Sequence, residues 1–518
     1  MATVIGQFFK NILTSWTGMV IGVAITFFFT PYLISMLGKD QYGIWTLAFS
    51  IIAYMGLADM GMKQAIVRYI SKFYAVKDWV QLNQVFSSSV RIYAVIAVIL
   101  AIATLIIVFG LLDLFKIPAE YMRITRIAFL VLGFNHAIGY ALLPFTALGA
   151  YHRFDITTCF NVGARIAQTL AIVVMLELGY GLVAMAVMVA AMTLLSKLSI
   201  NYIRMKKYPE NRFSFAAINR EKTRMLLGYG WFSFLIVATW IVIFQTDNIV
   251  IGAFLSMKAV AVYSIAAAIV TQLRSSINII SVPLVPAISH FEAEKDFARI
   301  MTIYRKSTRY LYFISTYLCI SILFYGGPFI QLWVGPDFIP AILILHILII
   351  AGAVYFPQMT ANSVLLGISK HKVAFYILAA EAIANIGLSL MLVRPYGTVG
   401  VALGTAIPQL AIYLFVYPYV FYRVMASDVK VFYLTAARSI VYAILLVLPP
   451  AFVMAELVTP DSWGRLITDC LVVTAVMLTG LGFFILEPID RDRLLGKVRR
   501  ALTRKQSSVS ERTREELR

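Results

Sequence analysis

Charged side chains inside long apolar stretches are the residues of this 518-residue chain most able to do chemistry. An ionised side chain at bilayer depth costs about 2.5 to 3.5 kcal/mol on insertion scales, so it must face a cavity or a partner. Arg165 and Arg274 could hold an anionic group, and Glu381 could take up and release a proton. These three residues are therefore the first candidates for a functional site.

Amide side chains accompany the two arginines at helical spacing. Asn161 and Gln168 lie four residues before and three residues after Arg165, so a helix would place all three on one face. Asn278 follows Arg274 by one helical turn. The pattern predicts two polar stripes that line a cavity, and a purely structural pairing of either arginine remains an alternative.

Other polar residues in the apolar stretches have simpler explanations. Asp59 and Asp247 lie near predicted helix ends, where capping or structural pairing is as reasonable as a role in coupling or gating. Lys197 and Arg438 are close enough to a predicted membrane surface for their charges to reach it. The chain's three cysteines have no partner nearby in sequence, which predicts neither disulfides nor a metal site.

The elements that position these residues are membrane-spanning helices. The chain is 61% hydrophobic and 13% charged, against about 25% charged residues in a typical soluble domain. It is therefore predicted to be an all-α polytopic membrane protein. The predicted helices number fourteen: 12–37, 42–62, 90–112, 124–148, 157–177, 182–204, 226–253, 259–289, 308–332, 340–366, 373–393, 398–422, 431–455 and 465–486.

Basic residues fix the predicted orientation. With the N-terminus in the cytoplasm, 33 of the 44 Lys and Arg residues fall on the cytoplasmic side and seven on the opposite side. Both termini are thus predicted to be cytoplasmic. The net charge of +19 is explained by orientation, and no nucleic-acid partner is expected because no soluble domain presents the charge.

The chain contains an internal repeat. Residues 42–48, YGIWTLA, align with residues 260–266, VAVYSIA, and further blocks align at offsets of 218 and 216. Two six-helix halves follow, related by an axis along the membrane normal. The predicted divisions are an N-terminal lobe, a cytoplasmic linker, a C-terminal lobe, two extra helices and a basic tail: 1–205, 206–225, 226–423, 424–486 and 487–518.

Three blocks carry a resemblance to a known family: TDNIVIGAFLSMKAVAVYSIA, PFIQLWVGPDFIPAILILHILIIAG and GISKHKVAFYILAAEAIANIGLSLMLVRPYGTVGVALGTAI. They resemble the polysaccharide transport branch of the multidrug/oligosaccharidyl-lipid/polysaccharide exporter superfamily, the Wzx-type flippases. The resemblance implies two six-helix lobes and transfer of a polyprenyl-diphosphate-linked oligosaccharide to the outer leaflet of a bacterial inner membrane by alternating access. It also makes polysaccharide polymerases and glycosyltransferases conceivable partners.

In that setting the candidate residues take specific roles. Gln358 and Asn362 share one helix face and could hydrogen-bond sugar hydroxyls, together with the amides near Arg165 and Arg274. The 216 offset places Glu381 over Arg165, so one half has an anion where the other has a cation. We therefore expect Glu381, with Asp247 and Asp59, to serve coupling or gating.

Two other classes remain alternatives. A drug/cation antiporter of the same superfamily is expected to have a mainly acidic cavity, which the two arginines disfavour. A membrane glycosyltransferase or polymerase would need a larger loop outside the membrane than the longest one predicted here, 113–123. The short loop disfavours this class, so we expect no enzymatic activity, and we expect no cofactor. No G-x-x-x-x-G-K-[ST] motif occurs, so we expect no ATP bound by a phosphate loop.

Overall fold

The computed structural model describes residues 2–151, 153–228, 231–281, 284–457, 460–487 and 491. Within these ranges the chain is helical and contains no β-strand, which confirms the predicted all-α class. Most of the predicted basic tail, 487–518, lies outside the described residues.

Sixteen α-helices are found in the described ranges, joined by short 3-10 and π-helical turns. They are α1 (Ala2–Met55), α2 (Met62–Ala75), α3 (Trp79–Ile106), α4 (Ala119–Ala141), α5 (Phe154–Glu177), α6 (Leu182–Lys207), α7 (Arg220–Gly228), α8 (Trp231–Phe254), α9 (Met257–Ser281), α10 (Leu284–Ala293), α11 (Phe297–Val334), α12 (Pro340–Gly367), α13 (His371–Ala411), α14 (Tyr417–Val424), α15 (Lys430–Leu457) and α16 (Trp463–Gly480).

Twelve helical stretches of the described chain are long and apolar enough to span a bilayer. Two of them, Thr17–Asp59 and His371–Val424, contain an interior glycine with a non-helical backbone. Gly38 has φ 71° and ψ 173°, and Gly397 has φ 58° and ψ −136°, conformations that favour glycine. The sequence predicts separate helices on either side of both glycines, and the total of fourteen stays a prediction.

The chain forms two compact units. The first unit comprises Met1–Ser275, Trp333–Leu348 and Ser369–Gln409; the second comprises Ser276–Leu332, Ile349–Ile368 and Leu410–Arg518. Each has its own apolar core, around residues such as Phe86 and Leu148 in the first and Phe313 and Val447 in the second. The domain boundaries predicted above rest on the sequence repeat and stay a prediction.

Several helices begin before the apolar segment that predicts them. Helix α3 starts at Trp79 because Asp78 caps it, accepting a hydrogen bond from the Gln81 amide at 3.0 Å. Helix α11 starts at Phe297, and Asp296 accepts from the Arg299 amide at 2.9 Å in the same way. Hydropathy marks only the part of a helix inside hydrocarbon, so it misses these polar extensions.

One end of the first unit is held by four charged residues, Lys39, Asp40, Lys258 and Asp337, here called the end cluster. Lys39 Nζ lies 3.1 Å from Asp337 Oδ2, and Lys258 Nζ lies 3.6 Å from Asp40 Oδ2. The sequence places these residues on the predicted outer side of the membrane. The cluster thus ties together three short connections that are far apart in sequence.

Close backbone packing occurs at the same end. A Cβ on Gly43 would lie 1.9 Å from the Met257 carbonyl oxygen, so only glycine permits this approach of α1 to the start of α9. Trp333 Nε1 donates to the Phe27 carbonyl oxygen at 2.7 Å, and the two rings stack with centroids 6.0 Å apart. These contacts hold α1 against the start of α9 and against the end of α11 within the first unit.

Candidate functional site

A cavity of about 730 Å³ lies within the first unit, among α1, α5, α6, α8 and α9. Two lysine or arginine side chains line it, Arg165 from α5 and Lys197 from α6. Among the described lining residues none is acidic. Such a cavity favours an anionic ligand over a cationic one, because each fixed positive charge attracts the former and repels the latter.

Neutral polar side chains make up much of the remaining wall. The hydroxyl and amide residues that line it are Thr26, Thr30, Tyr42, Thr46, Ser50, Asn161, Gln168, Thr169, Thr193, Ser196, Gln245, Asn248, Ser264, Thr271 and Gln272. Amides and hydroxyls offer both donors and acceptors, which matches the hydrogen-bonding groups of a sugar. Aromatic rings, including Trp45 and Phe244, supply apolar contact surface.

Arg165 is held at the cavity wall by helix α1. Its Nη2 donates to Thr26 Oγ1 at 3.2 Å, and Thr26 in turn donates to the Gly22 carbonyl oxygen at 2.9 Å. A Cβ on Gly22 would come within 3.0 Å of Arg165 Nη1, so the small residue makes room for the guanidinium. Arg165 stays exposed, with donors left for a ligand.

Lys197 is a cavity residue that the sequence reasoning set aside. Its Nζ donates to the Gly139 carbonyl oxygen at 2.8 Å, and the adjacent Ser196 hydroxyl donates to Asn161 Oδ1 at 3.4 Å. Asn161 lines the same wall, as does Gln168. Like Arg165, Lys197 is a charge inside an apolar helix, and this property by itself predicts that both residues face the cavity.

Arg274 lies beside the cavity rather than in its wall. Its guanidinium carbon is 3.7 Å from the centroid of the Phe244 ring and 6.0 Å from that of Trp240. These two rings stack on each other along α8, and Phe244 lines the cavity. Thr271, one turn before Arg274 on α9, also lines it, so Arg274 contacts the cavity through its neighbours.

Asp247 belongs to a buried polar cluster in the first unit. Its Oδ2 accepts hydrogen bonds from Tyr263 and, at 2.9 Å, from Thr405. Asn385 Nδ2 donates to Thr405 Oγ1 at 2.8 Å. Glu381 lies one turn before Asn385 on α13, and each is 1% exposed. The predicted coupling residues Asp247 and Glu381 are therefore both buried and outside the cavity lining, with Glu381 one turn along α13 from Asn385 of this cluster.

The remaining predicted site residues lie outside both the cavity lining and the Asp247 cluster. Asp59 accepts a hydrogen bond from the buried Tyr93 at the end of the 3-10 turn Gly56–Asp59. Asn278 is exposed, in the part of α9 that belongs to the second unit.

Gln358 and Asn362 both lie on α12 in the second unit. Gln358 is buried there, accepting from Tyr304 and donating to Tyr312, both at 3.4 Å. Asn362 is half-buried. Sugar binding by these two residues stays a prediction.

Comparison with known proteins identifies the family. A family model described as "Polysaccharide biosynthesis protein" matches residues 8–292. The chain belongs to this family. A Shigella flexneri protein named as an O-antigen transporter is also similar to this chain. It is 21% identical over 403 residues, which cover 77% of this chain and 94% of that protein.

Solved structures show which fold this polysaccharide biosynthesis family member has. A lipid II flippase MurJ in an inward closed conformation superposes with a TM-score of 0.70 at 16% identity, covering 92% of this chain and 98% of that one. An inward-facing MATE family multidrug resistance transporter of the MOP superfamily has a TM-score of 0.67 at 15% identity, covering 80% and 99%. The chain therefore has the fold of this transporter superfamily, and family and fold point to a transporter rather than an enzyme.

Proposed function

We propose that the protein is a flippase that moves a polyprenyl-diphosphate-linked oligosaccharide from the cytoplasmic to the outer leaflet of a bacterial inner membrane by alternating access. The observation that carries the proposal is the cavity in the first unit: its charged lining residues are Arg165 and Lys197, and no acidic residue is among the described lining. The family match and the O-antigen transporter relative support a glycan as the cargo.

The chemistry of the cargo explains why such a cavity is needed. A diphosphate carries its charge in a shell of water, and moving it into hydrocarbon costs many kcal/mol unless other groups replace that water. The Arg165 guanidinium supplies a planar set of donors that remains charged at any physiological pH. Lys197 adds a second cation, and the surrounding amides and hydroxyls would bind the sugars while the polyprenyl chain stays in lipid.

Coupling to an ion gradient is assigned in this proposal to the polar cluster around Asp247 and Glu381. Both side chains are buried and both carry a carboxyl group that can be protonated. Movement of α13 relative to α8 would change their surroundings and hence their protonation. Asp59, bonded to Tyr93 at a helix end, would serve gating.

Export of cationic drugs is the second candidate, favoured by the fold similarity to a multidrug resistance transporter. At 15% identity this similarity concerns the fold alone. Cationic cargo would meet Arg165 and Lys197 without a described acidic residue in the cavity wall to balance them. The charge of the cavity therefore favours the flippase.

Reconstituted vesicles test the proposal. Liposomes containing the purified protein and a polyprenyl-diphosphate oligosaccharide are treated with an impermeant reagent, and the rate at which inner-leaflet glycan becomes accessible is measured. Arg165→Ala should lower this rate about tenfold or more, because a hydrogen bond to a charged group contributes about 1.5 to 3 kcal/mol. Arg165→Lys should recover part of it.

The matched control is Arg394→Ala, which removes an exposed arginine that lies over Phe254, 5.7 Å from the ring centroid, and does not line the cavity. Its rate should equal that of the wild type. Transport of a cationic dye by the wild type without movement of the lipid-linked glycan would overturn the flippase assignment in favour of the drug exporter.

A further inference from the structure

A second, smaller cavity lies in the second unit and takes no part in the proposed transport. It has a volume of about 360 Å³ and is formed by α11, α15 and the π-helical turn Leu481–Ile485 that follows α16. The lining residues are Arg309, Val431, Leu434, Thr435, Arg438, Ser439, Tyr442, Phe484 and Ile485. We call it the arginine cleft.

Two arginines from different helices face the arginine cleft, and no acidic residue is among its described lining. Arg309 Nη2 donates to the Phe484 carbonyl oxygen at 3.2 Å, which uses one of its donors. Arg438 is exposed and has no carboxylate or hydrogen-bond partner in the described part of the chain. At eight residues from the start of α15 it lies about 12 Å along the helix, from where its long side chain can reach the level of the lipid headgroups.

The serine and threonine hydroxyls of the arginine cleft are already committed as donors. Thr435 Oγ1 donates to the Val431 carbonyl oxygen at 2.7 Å, and Ser439 Oγ donates to the Thr435 carbonyl oxygen at 2.9 Å. The donors of the cleft that remain are therefore those of Arg309 and Arg438, together with the Tyr442 hydroxyl. Guanidinium groups match an oxygen-rich anion such as a phosphate, which they can bind through two parallel hydrogen bonds.

Exposed apolar side chains border the arginine cleft. Leu434 is 58% exposed, Phe484 52% and Tyr442 40%, and the Tyr442 and Phe484 rings stack with centroids 6.1 Å apart. Because these residues belong to helices that span the membrane, their exposed surface contacts lipid chains rather than water. A ligand that enters the cleft therefore joins an anionic head to apolar chains.

We propose that the arginine cleft binds the headgroup phosphate of an anionic membrane phospholipid between Arg309 and Arg438, with its acyl chains along Leu434 and Phe484. Lys430, the first residue of α15, adds to the positive potential at this end of the helix, whereas Lys306 on α11 is paired with Glu487, its Nζ 2.6 Å from Glu487 Oε2. The bound lipid bridges α11, α15 and the end of α16. This site is separate from the flippase cavity and does not depend on the function proposed for it.

Lipid binding to the full-length protein tests the proposal. The purified protein in detergent is titrated with phosphatidylglycerol or phosphatidylcholine, and bound lipids are counted by native mass spectrometry. The wild type should retain one phosphatidylglycerol that phosphatidylcholine does not replace. Arg309→Ala/Arg438→Ala should weaken this binding about tenfold or more, and Arg438→Lys should weaken it less, because the ammonium keeps the charge but loses the planar donors.

Arg299→Ala is the matched control, since Arg299 is exposed on the same helix as Arg309 but lies over Phe291 and outside the cleft. It should bind phosphatidylglycerol as the wild type does. Equal retention of phosphatidylglycerol by the wild type and the double variant, or equal retention of both lipids by the wild type, would overturn the proposal. So would displacement of the lipid by inorganic phosphate at equal concentration, which would indicate a site for free phosphate, or by the polyprenyl-diphosphate glycan, which would indicate a substrate site.

The wild-type lipid comparison involves no substitution, so it decides the question even if the double variant fails to fold.

Discussion

Arg274 and Arg165 are both intramembrane arginines, yet different groups hold them. Arg165 lines the cavity directly and bonds Thr26, whereas the Arg274 guanidinium carbon lies over the Phe244 ring, 3.7 Å from its centroid. Stacking of this kind depends on the planar guanidinium and on its charge over the ring face. Arg274 should therefore influence transport partly by fixing Phe244 in the cavity wall.

This geometry predicts a graded series of variants. Arg274→Ala should strongly reduce glycan translocation at normal membrane insertion, and Arg274→Lys should recover only part of it. Phe244→Leu should reproduce part of the Arg274→Ala loss, whereas Trp231→Leu, at an exposed position on the same helix, should leave the rate unchanged. Translocation in vesicles measures all four. Full activity of Arg165→Ala/Arg274→Ala at matched protein levels would remove both arginines from the mechanism.

Glu381 is the residue whose protonation the proposed mechanism uses. It is buried on α13 one turn from Asn385, which bonds the Thr405 hydroxyl that donates to Asp247. Glu381→Gln keeps the shape of the side chain but removes its titratable carboxyl group. This variant should lose the dependence of transport on a pH gradient while still binding substrate.

Proteoliposomes with an imposed pH gradient provide the measurement for Glu381. Glu120→Gln, at an exposed position in the first turn of α4, is the control and should respond to the gradient as the wild type does. If Glu381→Gln also responds normally, Glu381 is a structural residue, and Asp247→Asn becomes the variant that tests coupling in the same cluster.

At the scale of helices, the sequence predicts where most helices lie but says less about which helices pack against each other. Apolar stretches locate the membrane-spanning parts of helices such as α5 and α6 because hydrocarbon demands them. Hydropathy does not reveal which helices bring their polar faces together. Asn161, Arg165 and Gln168 are correctly predicted to share a face, and the cavity wall includes all three.

Tertiary contacts determine what the sequence pattern of one helix leaves open. Lys197 lies close to a predicted membrane surface, but its ammonium bonds the Gly139 carbonyl and lines the cavity. Gln358 lies in an apolar helix like the arginines, yet two tyrosines and a backbone carbonyl occupy its amide. Both outcomes depend on residues more than forty positions away, which periodicity within one helix cannot reveal.

Two residues of the end cluster occupy equivalent positions of the sequence repeat but carry opposite charges. At the repeat offset of 218, Asp40 corresponds to Lys258, so equivalent positions of the two halves carry opposite charges and pair with each other at 3.6 Å. Lys258 is 66% exposed, so the pair is worth at most about 1 kcal/mol. We expect an interaction of this size to limit access to the cavity from this end of the first unit and still allow it to open.

Charge reversal tests this role of the end cluster. In a variant without the native cysteines, Ser264→Cys reports on the cavity wall through its labelling by an impermeant thiol reagent from outside. Lys258→Glu faces Asp40 with a like charge and should raise the labelling rate about threefold, as a shift of under 1 kcal/mol implies. The exchange Asp40→Lys/Lys258→Asp should restore the original rate. Equal labelling in all three proteins would mean that the ion pair does not control access.

At the scale of the whole molecule, length and charge argue for turns at both interior glycines. The stretch Thr17–Asp59 has 43 residues and would extend about 65 Å as one straight helix, twice the roughly 30 Å of bilayer hydrocarbon. Helix α11 is also long, but its excess length is charged and contains Arg299, Arg305 and Lys306. The part of Thr17–Asp59 that exceeds one crossing of the bilayer is apolar. Two crossings that meet at Gly38 therefore place more of it in hydrocarbon than one crossing does.

The last prediction concerns which loops face the cytoplasm. If the chain turns back at Gly38, residue 76 is cytoplasmic and residue 120 is outside; a single crossing through Gly38 would reverse both. Val76→Cys, at a position 69% exposed between α2 and α3, should thus resist an impermeant maleimide in intact cells and react after permeabilisation. Glu120→Cys should react in intact cells. The opposite result for the pair would rule out the turn at Gly38, and with it the arrangement of basic loops that places both termini in the cytoplasm.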